Sequence, residues 1–128
     1  MKSIQQAMKI YEICAINAQA GQTVTYREVM NHLGYAPGVP GHAIRYGLEL
    51  ACIACIHINL PSLTSIVVNE ATGEPTESGY SVSDWKKDAQ KVFKHKEWPD
   101  VDDIDWDYVW KNRKKLSERY GTRGYWGN

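Results

Sequence analysis

Apolar side chains first recur at Ile4, Ala7, Met8, Tyr11, Cys14, Ala15 and Ala18. That is the i, i+3, i+4, i+7 stripe of an amphipathic helix over 3–19, with Ser3 as its cap and Gly21 as its stop. The stretch GQTVTYREVMNHLGY follows. Thr25 and Glu28 have the spacing of a capping box, which predicts a second helix over about 26–33 ending at Gly34. The loop YAPGVPG is stiffened by two prolines and loosened by two glycines. A third helix is expected over 41–57, polar in HAIRY and apolar on nearly every side after Gly47, so its second half must be buried.

Past this point the periodicity shortens. LPSLTSIVV is β-branched, NEATGEP is a turn cluster around Gly73, and TESGY can return, so 63–80 reads as a β-hairpin. Ser83 can cap a helix to about Lys96 that Trp98-Pro99 breaks. Asp102 or Asp103 can cap a last helix to about Tyr120, ahead of the tail GTRGYWGN. The expected fold is therefore α+β and mostly helical: a winged helix-turn-helix core, an N-terminal helix and two C-terminal helices. Its 128 residues suit a single domain, with 1–80 as the core and 81–128 as a helical extension.

Charge qualifies this picture. Fifteen Lys and Arg balance fifteen Asp and Glu, which argues against strong non-specific DNA affinity. The second part of the chain alternates in blocks: basic over 86–96, acidic over 97–107, basic again over 111–123. Such blocks are usually solvated helix faces, although Lys86, Lys87, Lys91, Lys94 and Lys96 could track a phosphate backbone. The three cysteines make no disulfide scaffold, and with no signal peptide in view a cytoplasmic setting is expected. The apolar run 50–58 is too short to span a bilayer, so no membrane partner is expected.

From 4 to 80 the chain resembles the DNA-binding domain of alkylguanine-DNA alkyltransferases and the alkyltransferase-like proteins. GQTVTYREV resembles the family's Gly-x-Thr-Val-Ser-Tyr-x-Glu-Leu helix entry. HAIRYGL stands for its Arg-Ala-Val-Gly helix, and NLPSLTSIVV for its Asn-Pro segment ending in Val-Val. Where that family carries Pro-Cys-His-Arg, this chain has LTSI, with Thr64 near the position of the acceptor cysteine. A hydroxyl without an adjacent histidine base is a poor nucleophile, so alkyl transfer is not supported. The resemblance implies non-enzymatic binding of duplex DNA, damaged DNA included, read by helix 41–57 and hairpin 63–80. It places Tyr26 against the backbone of a rotated nucleotide. His42 falls where the family has the arginine that fills the gap left by a flipped base, and Arg45 is one turn on. The expected DNA contacts are Tyr26, Arg27, His42, Arg45 and Tyr46 at the groove, and Thr64 and Ser65 near the wing. Lys114, Lys115, Arg119 and Arg123 are expected on phosphates.

Other constellations read as structure. Cys52 and Cys55 sit in a Leu, Ala and Ile setting and are expected as buried small hydrophobes. The run DVDDIDWD lacks the central Gly and closing Glu of a calcium loop. No hydrolase triad, phosphate loop, nuclease carboxylate cluster or zinc-protease motif is visible, so no cofactor is implied and no enzyme is expected. The competing reading is an interaction module, of a phage or other mobile element, whose winged helix is a scaffold for a protein or small ligand.

Overall fold

A computed structural model describes residues 3–76 and 84–120. The first helix, α1 (Ser3–Gln19), buries Ala7, Tyr11, Cys14 and Ala18 of the stripe read from the sequence, with Ile4, Met8 and Ala15 half-buried beside them; Ile10 and Gln6, outside that stripe, are buried too. Gly21, with φ +71°, ends it in the left-handed region. A two-residue strand, β1 (Val24–Thr25), leads into α2 (Tyr26–His32). A 3-10 turn at Gly41–Ile44 then opens α3 (Arg45–His57).

Every residue of α3 from Gly47 to Cys55 is buried. An all-round apolar helix needs neighbours on all sides, and α1, two C-terminal helices and a second 3-10 turn provide them. At Gly47 the first of these contacts is closest. A Cβ there would lie 2.5 Å from Gln6 Oε1 and 2.8 Å from its Cγ. The Gln6 amide in turn donates to the Tyr35 hydroxyl at 2.7 Å, so one buried polar side chain joins α1, α3 and the loop after α2.

The expected hairpin is not what 63–76 forms. Leu63–Ile66 is a buried 3-10 turn, and β2 (Val67–Val68) pairs in parallel with β1, Val24 opposite Val67 and Thr25 opposite Val68. The run Leu63–Val68 is buried at every position, and unbroken burial carries no period to separate a strand from a turn. Loop 69–74 closes on itself: Asn69 N–H donates to Glu74 O, and Gly73 N–H to Asn69 O, each at 2.8 Å. The expected turn is there, with Gly73 at φ +70°. The return strand of that hairpin, 76–80, lies mostly outside the described residues, as does Ser83.

Helix α4 (Trp85–Lys94) is capped by Asp84, whose carboxylate accepts from the N–H groups of Lys86 and Lys87. The expected final helix is two. A 3-10 turn at Val101–Asp103 precedes α5 (Trp106–Lys111), capped by Asp105, and α6 (Arg113–Tyr120) follows a break at Asn112. The Asn112 amide donates to Tyr108 O at 2.9 Å, the local side-chain bond that competes with helix continuation. Tyr11 ties this segment back to α1: its hydroxyl donates to Pro99 O and its ring meets the Trp106 ring edge-on, centroids 6.0 Å apart. Among the described residues the protein is thus mostly helical, with one small two-stranded sheet. Among the described residues no helix is long and apolar enough to cross a membrane.

Burial pushes the Cys14 and Cys52 thiols up to about 12 and Cys55 well above its ordinary value. An unfolded thiol ionises near 9.0. The native chain therefore holds more protons above that pH, and stability must fall as pH rises from 9 toward 12. Denaturant midpoints measured from pH 7 to 10.5 should drop across the upper part of that range, and Cys52→Ala should remove part of the slope. Gly47→Ala should lower the unfolding free energy by a net ~1 kcal/mol, read as a lower urea midpoint, because overpacking costs ~1–3 kcal/mol against ~1 kcal/mol gained in helix propensity. An unchanged midpoint would mean that Gln6 swings aside freely.

Candidate nucleic-acid interface

The capping box is present as read: Thr25 N–H donates to Glu28 Oε1 at 3.0 Å, and Glu28 N–H to Thr25 Oγ1 at 3.1 Å. It fixes where α2 begins, and hence where Tyr26 and Arg27 stand on its first turn. After α2, Gly34 and Gly38 take φ of +84° and +90°, so the chain reverses and brings the 3-10 turn and the start of α3 back beside α2.

The result is a groove of about 560 Å³. Its walls are α2, the loop with Pro37 and Gly38, the first turn of α3 and the loop after β2. Tyr26, Arg27, His42 and Arg45 all line it. Arg45 is held in advance: its Nη1 donates to His42 O at 2.8 Å, and its guanidinium lies over the Tyr46 ring, 4.5 Å from the centroid. Tyr46 thus adjoins the groove through Arg45. The Tyr26 hydroxyl accepts from Thr76 N–H at 2.9 Å. Arg27 faces Glu70 at 3.6 Å, both side chains being about two-thirds exposed, at 63% and 72%. These two contacts fasten the loop after β2 to α2.

Thr64 and Ser65 are corrections. They are 1% and 0% exposed, inside the 3-10 turn that packs on α1, α3 and α4, so neither sits on a wing. Thr64 faces the Cys52 thiol. Neither hydroxyl has a hydrogen-bond partner of ordinary geometry among the described residues. The reason is packing: the apolar residues Leu63, Ile66, Val67 and Val68 drag the two small polar ones inward with them. Lys114, Lys115 and Arg119 are exposed on α6 and do not line the groove. Arg123 lies outside the described residues.

The sequence reading missed Asn69, Glu70 and Thr76, which form the groove's fourth wall. Their turn was visible around Gly73, but their neighbour was not, because that depends on the parallel pairing of β1 with β2. Cys52 and Cys55 are fully buried. Among the described residues no three His, Cys, Asp or Glu side chains are placed to hold a metal.

No protein-family model matches the chain, and neither does any curated protein or solved structure.

Replacing a buried, unpartnered hydroxyl by a group of the same shape removes a desolvation cost of ~1–3 kcal/mol. Thr64→Val should therefore leave the thermal midpoint unchanged or raise it, and should leave the groove's ligand binding as it is. A marked loss of ligand binding without a loss of stability would return Thr64 to the site.

Proposed function

We propose that the α2–α3 groove is a surface for duplex DNA, and that the protein is a non-enzymatic DNA binder of the alkyltransferase-like kind, its helix pair and β2 loop serving as a divergent winged helix. The observation that carries this reading is the convergence of Tyr26, Arg27, His42 and Arg45 on one groove at the start of α3. The resemblance singles out Tyr26 and His42, with Arg45 one turn on, and Arg27 joins them from the first turn of α2.

The chemistry suits a polyanion. Arg45 is ordered by His42 O and by Tyr46, so little side-chain freedom is lost when it meets a phosphate or base edge. Arg27 carries its own carboxylate partner, Glu70, and a phosphate would compete for it. With zero net charge, attraction rests on this local set rather than on a field over the whole surface. Helix α3 enters the interface by its start, with Leu48 at the groove's edge, because Gly47 to Cys55 is buried.

A second reading has its own support. The groove's volume of about 560 Å³ lies within the usual size of small-molecule sites, ~300–1,000 Å³, and the Arg27–Glu70 pair leaves it nearly balanced in charge. In that reading the helix pair is a scaffold for a small ligand or a protein.

Fluorescence anisotropy with labelled duplex separates the two. DNA binding should weaken steeply with salt. Arg45→Ala should reduce affinity about tenfold, equivalent to ~1.4 kcal/mol, with the circular dichroism spectrum unchanged. A preference for an alkylguanine-containing duplex would place the protein beside the alkyltransferase-like proteins. No binding at low salt would reject the DNA reading and leave the groove to a small ligand or protein.

A further inference from the structure

Helix α4 takes no part in the groove, yet it carries four lysines in ten residues. Lys86, Lys87, Lys91 and Lys94 are all exposed on it, and Lys96 follows. Lys87, Lys91 and Lys94 recur at i, i+4 and i+7, one stripe about 10 Å long at 1.5 Å per residue. Among the described residues none of these lysines forms an ion pair. Of the two carboxylates at the helix start, Asp84 is turned to the helix's own N–H groups, and Asp88, next to Lys87, is half-buried and has interactions of its own.

The opposite face of α4 is already used. Ala89 and Val92 are buried, and Trp85 and Phe93 pack against the core. A basic amphipathic helix enters a membrane surface by its apolar face, and here that face is covered. What remains free is a row of flexible cations without apolar neighbours, which suits a chain of phosphates rather than a lipid surface. The seat of α4 is also informative. It packs on the 3-10 turn Leu63–Ile66, which runs directly into β2 and then into the groove wall at Asn69–Thr76.

We propose that the lysine stripe of α4 is a second contact for the phosphodiester backbone, holding duplex flanking the site that the α2–α3 groove engages. This rests on the DNA reading of the groove. Sequence information comes from the groove, and the stripe adds sequence-independent attraction that fixes the duplex in place. It also adds a local row of cations to what a chain of zero net charge brings to DNA.

The test is the triple variant Lys87→Gln/Lys91→Gln/Lys94→Gln, compared with wild type and Arg45→Ala. Each protein is titrated into labelled mixed-sequence duplex at four salt concentrations. Vesicles of phosphatidylcholine, with and without phosphatidylserine, are run in parallel. The three side chains are exposed, so the thermal midpoint should not move. If the stripe binds the backbone, the triple variant binds duplex more weakly, and the slope of log K against log salt falls by roughly 2–3, about 0.9 for each phosphate no longer neutralised. A wild-type slope in the triple variant, with binding still lost on Arg45→Ala, overturns the stripe and leaves the groove reading standing. Binding to phosphatidylserine vesicles that the triple variant abolishes, with duplex binding unchanged, assigns the stripe to membranes and overturns the proposal. No duplex binding by wild type rejects the groove reading and the stripe together.

Discussion

The close approach of α1 and α3 at Gly47 is the interaction on which the rest of the structure depends. A side chain there would meet Gln6. Without one, the two helices can pack closely, and α3 can be surrounded by α1, α5, α6 and the turn at Leu63–Ile66. That enclosure divides α3 in two. From Gly47 to Cys55 it is core, and the turn around His42 and Arg45 is the end that faces the groove. The same approach reaches the loop after α2 through the Gln6–Tyr35 hydrogen bond, so one buried amide positions both the helix that carries Arg45 and the loop that walls its groove.

Local rules predicted local structure. The stripe of α1, the capping box at Thr25 and Glu28, the glycine stops at 21 and 34 and the turn at Gly73 each depend on residues a few positions apart, and each is found where it was expected. The all-round apolar character of α3 foretold its burial. What could not be read depends on partners distant in sequence. Thr64 and Ser65 look like surface residues by type, but their neighbours on both sides belong to the core. Val67 and Val68 do form a strand, yet its partner among the described residues is Val24–Thr25, on the far side of α2 and α3 in sequence. The break at Asn112 turns on which backbone carbonyl its amide reaches, and composition does not specify that. For the site, the residues on α2 and α3 were visible; segment 63–80 was expected beside them, but its groove residues are Asn69, Glu70 and Thr76 and not Thr64 and Ser65.

Electrostatics add a constraint of a different kind. A neutral chain has little long-range pull on any ligand, so recognition relies on charges that are held in place or gathered together. Arg45 is an example of the first, fixed over Tyr46. The lysines of α4 are an example of the second. The buried thiols take no part: with ionisation pushed toward high pH, Cys14, Cys52 and Cys55 are poor nucleophiles and poor metal ligands.

The parallel pairing of Val24 with Val67 also bears on the order of folding. It closes a long stretch of chain, including all of α2 and α3, with only two residues on each strand. Such a closure is entropically costly and is rewarded only once the segments between have collapsed. The helices can gather around α3 first, and the two strands then join across the finished core. Because the groove's fourth wall follows directly from β2, the cavity does not exist until that late step. The same short pairing is a weak point for partial opening in the folded protein, since it joins β1 to β2 by only two residue pairs. The ligand site would then breathe open while the helical core stays intact.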